Sequence, residues 1–356
     1  MQKSEKKISI CFIVLAAVVI LNMCTTYQRE EEIVNSINII QKVLKHYRRY
    51  IPDYMASRQA SVIKSEIFHG YVKAKLDRLR LNLDKTSNKV LDYVEKAITY
   101  DEVRRVSNFE NLTFQFPLYH QQHRKIWKEK EQSEVNKKYN LLGCLLSPEV
   151  FYFHHGLRFA NQKIKNYIKN KDILDCGAFV GDSVLILKDY TDKNIFCYEF
   201  YKPCLEKFHK IMKLNNVTSG YKLIPLALGE NIKNAKANSE SIVACPFENS
   251  HKQPSDEVVS ITTIDEEAKK HDFKVGFIKV DVEGHGFKLI KGAINTIKNQ
   301  RPVLSIGVYH SKSELFEIKP FLEKSLDNYI FEFQLQSFKE GDLNELTLFC
   351  YPKELS

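Results

Sequence analysis

Asp281 and Glu283 close one apolar run of the C-terminal half, Phe277-Ile278-Lys279-Val280-Asp281-Val282-Glu283-Gly284-His285, and His310 closes another, Val303-Leu304-Ser305-Ile306-Gly307-Val308-Tyr309-His310. A histidine takes or gives a proton near neutrality. Carboxylates beside it can orient a substrate, keep the ring protonated after it has acted, or ligate a divalent metal. Such a set suits a reaction in which a weak nucleophile, such as a hydroxyl, must lose its proton while its oxygen is held about 3 Å from an electrophilic carbon. A second set lies upstream in Asp175-Cys176-Gly177-Ala178-Phe179-Val180-Gly181-Asp182. Gly177 and Gly181 allow a tight turn and a close approach of the backbone to a ligand, and Asp182 falls at a helix start, where free N–H groups favour a carboxylate. Glu199 ends the next apolar run, where an acid can accept both hydroxyls of a ribose. Taken singly, Glu283 also reads as a helix-start charge and His310 as a satisfied turn histidine. Their convergence on one crevice is what reads as a site.

The elements that would position these residues follow from the hydrophobic pattern. Residues 172–178, 194–200, 221–228, 275–282 and 302–308 read as strands, with helices near 181–190, 203–213, 264–271, 285–299 and 312–325. Alternation of this kind predicts an α/β fold, a doubly wound, Rossmann-like parallel sheet covered on both faces, with 329–336 and 346–351 pairing as an antiparallel edge. Ligands of such sheets bind beyond the carboxyl ends of the strands, where the residues named above lie. The loop spacing is not the GxGxxG of dinucleotide sites. A pyrophosphate would also meet the negative charge of Asp175 and Asp182, which instead suits a cationic or ammonium-bearing ligand. S-adenosyl-L-methionine has that character: no phosphate, a sulfonium and an amino-acid end.

The 356 residues, 44% hydrophobic with few glycines and prolines, exclude disordered, collagen-like and mini-scaffold classes. Of the formal charge of +9, residues 1–150 carry 25 Lys+Arg against 17 Asp+Glu and residues 151–356 carry 28 against 27, so the excess sits in the first part. A nearly neutral second part argues against a nucleic-acid partner. The eight cysteines form no CxxC pair and no zinc spacing, which reads as reduced structural thiols. His120 and His123 could share a helical face, yet lack a third ligand at metal spacing.

Lys3, Lys6 and Lys7 precede the uncharged run Ile8–Cys24, whose length is at the short edge of a membrane span. Residues 1–26 therefore read as a signal-anchor-like hydrophobic segment, and the chain as membrane-associated through a single-pass N-terminal anchor. The flanking charges would export the rest of the chain, whereas a methyl donor made in the cytosol places the catalytic domain on the cytoplasmic side. Residues 27–150 read as a mainly helical accessory region, with apolar residues at helical spacing (Val72, Leu76, Leu79, Leu83; Val90, Leu91, Val94, Ile98), and 151–356 as the catalytic domain.

Over Phe151–Pro352 the sequence resembles the FkbM family of S-adenosylmethionine-dependent methyltransferases, through ILDCGAFVGDS, CYEF, LIPLALGE, SITTIDE, FIKVDVEGHGFKLIKGAINTIKNQRPVLSIGVYH and ELTLFCYP in family order. The resemblance implies a seven-strand methyltransferase sheet, with Asp175, Gly177, Gly181 and Asp182 near the methionine end of the cofactor and Glu199 on its ribose. It further implies O-methylation of a sugar, a glycan precursor or another small-molecule hydroxyl. Two positions depart from the family pattern: Phe200 stands where a proline usually follows the strand-two acid, and Gly286 replaces an acid. Competing classes are a nucleotide-dependent oxidoreductase on the same sheet and a non-catalytic binding or scaffold protein. The sequence does not specify an oligomeric state.

Overall fold

The computed structural model describes residues 70–106, 118–236, 258–339 and 343–356. The chain divides into two compact units, Met1–Leu81 with Asp92–Thr113, and Asn82–Leu91 with Phe114–Ser356. In the described part of the first, a helix over 70–80 buries Val72, Leu76 and Leu79, as the periodicity expects. Arg80 there pairs with Asp92 and Glu95 at 2.9 Å each.

The second unit is built on a seven-stranded sheet whose strands are β1 (Asp172–Cys176), β2 (Ile195–Tyr198), β3 (Tyr221–Ile224), β7 (Val275–Val280), β8 (Val303–Gly307), β9 (Tyr329–Leu335) and β10 (Leu346–Pro352). They lie in the order β3-β2-β1-β7-β8-β10-β9. The first five in that order run parallel, and β10 is antiparallel to both neighbours. The α/β sheet expected from the sequence is therefore present, with β9 and β10 pairing antiparallel at its edge and β10 lying between β8 and β9. Because β1 and β7 are flanked on both sides, their side chains alternate between two packed faces and every residue of β7 is buried.

Three strands of a smaller sheet, β4 (Ala227–Leu228), β5 (Lys233–Lys236) and β6 (Val258–Thr262), were not separated by the sequence pattern, which ran β3 and β4 together. Likewise the helix expected over 285–299 is two, Gly286–Lys291 and Ile294–Gln300. Gly292 lies between them. A Cβ there would stand 2.1 Å from the carbonyl oxygen of Gly229, so backbone passes backbone at a distance only glycine permits.

Among the described residues no helix is long and apolar enough to cross a membrane. The long helix Lys85–Val106 carries charge on nearly every turn, which bars it from hydrocarbon. This corrects the membrane-associated localisation expected from the sequence. The hydrophobic segment Ile8–Cys24, on which that expectation rested, lies outside the described residues.

Candidate active site

In the strand order, the chain moves outward in opposite directions on the two sides of the β1/β7 pair, so a crevice opens beyond their carboxyl ends. A cavity of about 790 Å³ occupies it, within the ~300–1,000 Å³ usual for small-molecule sites. Gly177, Asp182 and Glu199 line one side, and Asp281, Glu283 and His310 the other. Asp175 and Gly181 lie behind this lining.

Asp175 is fully buried, 3.3 Å from the ammonium of Lys279, which also donates to the Gly177 carbonyl at 2.7 Å. Lys279 thus braces the loop from beneath. Burial alone would lower its pKa, but Asp175, Asp281, Glu149 and Asp182 together hold it above the ordinary lysine range. Gly177 has φ +81°, and a Cβ there would fall 1.8 Å from the Asp281 carbonyl oxygen, so the β1 loop and the β7 end meet backbone to backbone. Gly181, at φ +84°, caps the short helix Asp182–Leu187. Burial raises the pKa of Asp182.

Glu199 is engaged already. Its Oε2 accepts the N–H of Phe179 (3.1 Å), and its Oε1 accepts those of Phe200 (2.8 Å) and Tyr201 (2.7 Å). Burial pushes its pKa up, and these three N–H groups resist. With about four lone-pair positions on a carboxylate, roughly one remains for a ligand.

On the other side His310 Nε2 lies 3.1 Å from Glu283 and 3.7 Å from Asp281. Burial draws the ring pKa down. The hydrogen bond to Glu283 and the charges of Asp281, Glu283 and Glu314 outweigh that and carry it up to about 9. At neutral pH the ring is therefore an imidazolium and has no vacant site for a proton. The intrinsic pKa of a histidine, near neutrality, is thus shifted at this position by its carboxylate neighbours.

The sequence reading passed over five residues that complete this group. Tyr309 directs its hydroxyl to Asp281 (3.4 Å) and Glu345 (3.2 Å). Glu149 is hydrogen-bonded to His155 Nδ1 (2.8 Å), and His155 Nε2 to the hydroxyl of Ser183 (2.9 Å). Burial lowers the His155 pKa to about 4, so the neutral ring donates from Nδ1 and accepts the Ser183 hydroxyl at Nε2. Burial and the charge of Asp281 push Glu149 up to about 7. Burial, Glu149 and Asp281 hold Glu345 well above the carboxylate range. An unusual segment presents Glu149 and His155: a π turn over Glu149–Phe153, then His154 and His155 both left-handed at φ +51° and +53°. Such backbone is stored where the surroundings enforce it, often at functional sites.

Carboxyl oxygens of Glu149, Asp281 and Glu345 lie within 4.8 Å of one another. Glu283, the carboxylate that the sequence pairs with Asp281 for a divalent metal, is not one of this group. The carboxylates' charge is met by the Lys279 ammonium and by the proton held on Glu345. The three carboxylates and Lys279 form one charged group at the end of β7. His120, the other histidine considered as a ligand, is buried against the Ser337 carbonyl at 2.5 Å, and His123 bonds the Tyr152 hydroxyl at 2.7 Å.

Residues 175–336 match the methyltransferase FkbM domain. The solved structure of methyltransferase FkbM from Methylobacillus flagellatus KT aligns with a TM-score of 0.50 at 17% identity, over 79% of this chain and 59% of that one. The chain thus spans about three fifths of that protein's length. A precorrin-6y C5,15-methyltransferase from Geobacter metallireducens GS-15 aligns at TM-score 0.32 and 13% identity, over 53% of this chain and 85% of that one. An rRNA methylase from Streptococcus thermophilus does so at 0.33 and 9%, over 58% and 96%. No curated protein of significantly similar sequence was found. At these identities the structural likeness is one of fold, and the domain match is specific to one part of it: over residues 175–336 the chain carries a methyltransferase FkbM domain on a methyltransferase-like α/β fold.

Proposed function

We propose that the protein is an S-adenosyl-L-methionine-dependent O-methyltransferase whose acceptor is a hydroxyl of a sugar, a glycan precursor or another small molecule. The observation that carries this reading is the continuity of one cavity from the glycine loop and Glu199 to Asp281, Tyr309 and His310. The residues fit the donor. Asp182, a carboxylate at a helix start, suits an ammonium group. Glu199 keeps an acceptor position for a ribose hydroxyl, and Gly177 leaves its loop without side-chain bulk. When bound, the donor supplies an electrophilic methyl group.

The protein's part is to hold the acceptor and take its proton. His310, charged at neutral pH, donates from Nε2 and orients the acceptor with Asp281 and Glu283. Glu149, titrating near 7, is poised to receive the hydroxyl proton, with His155 and Ser183 fixing its carboxyl. Calorimetry with S-adenosylhomocysteine and with NAD, followed by a methyl-transfer screen over glycans and hydroxylated metabolites, tests the reading. Binding of S-adenosylhomocysteine alone and methylation of a hydroxyl are expected. Failure of S-adenosylhomocysteine to bind would refute it.

A further inference from the structure

Glu314 stands in the first turn of the helix Lys312–Ser325, three residues after its N-cap Ser311, whose hydroxyl accepts the Glu314 N–H at 3.2 Å. Ser-x-x-Glu at a helix start ordinarily sends the glutamate back to the backbone of the cap. Here the carboxylate is turned instead to another element: Oε1 accepts the N–H of Gly286 at 2.8 Å. Only a glycine leaves room for it, since a Cβ at position 286 would lie 2.8 Å from that same oxygen. The second oxygen, Oε2, is buried, has no hydrogen-bond partner, and lies 3.8 Å from His310 Nδ1. Nδ1 is buried and without a hydrogen-bond partner as well.

Two orphaned polar atoms of opposite character, facing each other at slightly more than bonding distance, are costly unless they act on one another. Across the ring, Nε2 faces Glu283 and Asp281, and the Tyr309 ring lies against it at 3.9 Å between centroids. Those groups and Glu314 are the titratable neighbours that face the imidazole.

We propose that Glu314 is the positioning residue of His310: reaching through the space left by Gly286, it fixes the ring from the Nδ1 side so that a charged Nε2–H is presented to the cavity. Glu314 touches no part of the cavity itself. It acts through His310 by setting the ring's orientation and keeping its proton. The inference deepens the function proposed above, but its first test does not depend on that function.

The test is a proton–nitrogen NMR titration of the His310 imidazole in the full chain, assigned by its loss in His310→Gln. Glu314→Gln keeps an acceptor for Gly286 while removing the charge, and the ring midpoint is expected to fall by about 1–3 units, the effect of one opposite charge at this range. Gly286→Ala should lower it too by displacing the carboxylate, and the double variant should fall no further than Glu314→Gln alone, as coupled residues do. In methyl transfer, both single variants should lower kcat and leave S-adenosylhomocysteine affinity unchanged. An unchanged midpoint in Glu314→Gln, or additive shifts in the double variant, overturns the proposal. Should Glu314→Gln fail to fold, the Gly286→Ala midpoint decides alone. Loss of S-adenosylhomocysteine binding in the wild type would instead sink the proposed function and leave this titration standing.

Discussion

Removing the Lys279 ammonium tests the frame of the site most directly. In Lys279→Met the side chain keeps its length and apolar stem, and Asp175, fully buried with no hydrogen-bond partner on either oxygen, loses its 3.3 Å counter-charge. Breaking a buried pair by deleting one partner costs about 3–5 kcal/mol. The Gly177 carbonyl loses its 2.7 Å donor as well, a further ~1 kcal/mol. Set against a typical total of about 5–15 kcal/mol, this is a large fraction of the stability, and for a domain of this size it corresponds to a fall in Tm on the order of 10 °C. Urea denaturation followed by circular dichroism measures it. The charge argument makes a second demand: Lys279→Met with Asp175→Asn must recover much of the loss, because the remaining group no longer needs a counter-ion. A loss below about 1 kcal/mol in the single variant, or no recovery in the double, would refute the reasoning.

Glu199→Ala should weaken S-adenosylhomocysteine at least tenfold in calorimetry, since it removes a ligand acceptor and also frees the three loop N–H groups it ties down. Glu149→Gln should bind S-adenosylhomocysteine normally while lowering kcat by about 10²-fold or more, the usual contribution of a general base; retention of wild-type turnover would remove Glu149 from that role. Stability should fall as pH rises above 6.5. Above 6.5, His310 holds its proton more tightly folded, up to about 9, and its contribution is lost as pH rises through that value, while Glu149 adds to the decline up to about 7. Urea midpoints from pH 6.5 to 9 check this, and a rise over that range would contradict it.

The strand-end residues were legible in the sequence because sheet topology alone brings Asp182, Glu199, Asp281, Glu283 and His310 to one rim, whatever their rotamers. Lys279 could have been read too: a lysine inside Phe277–Val282, in a strand buried on both faces, must have a carboxylate partner. Glu149 and His155 were beyond such reading. They precede β1 in a segment with no strand or helix period, and their placement depends on a π turn and two left-handed residues that no periodicity announces. Glu345 enters from the connection between β9 and β10, which the pattern marks only as a turn. Gly286 was legible as a missing acid but not as the room for Glu314, since that contact joins helices 28 residues apart.

The placement of β10 bears on how the molecule comes into being. Strands β8 and β9 are consecutive in the chain but not neighbours in space. β8 keeps one flank of N–H and C=O groups unanswered until residues 346–352 arrive between them. During synthesis the sheet therefore cannot be sealed progressively. A nascent chain halted before Leu346 would carry an open, apolar strand edge of the sort that recruits other chains into aggregates.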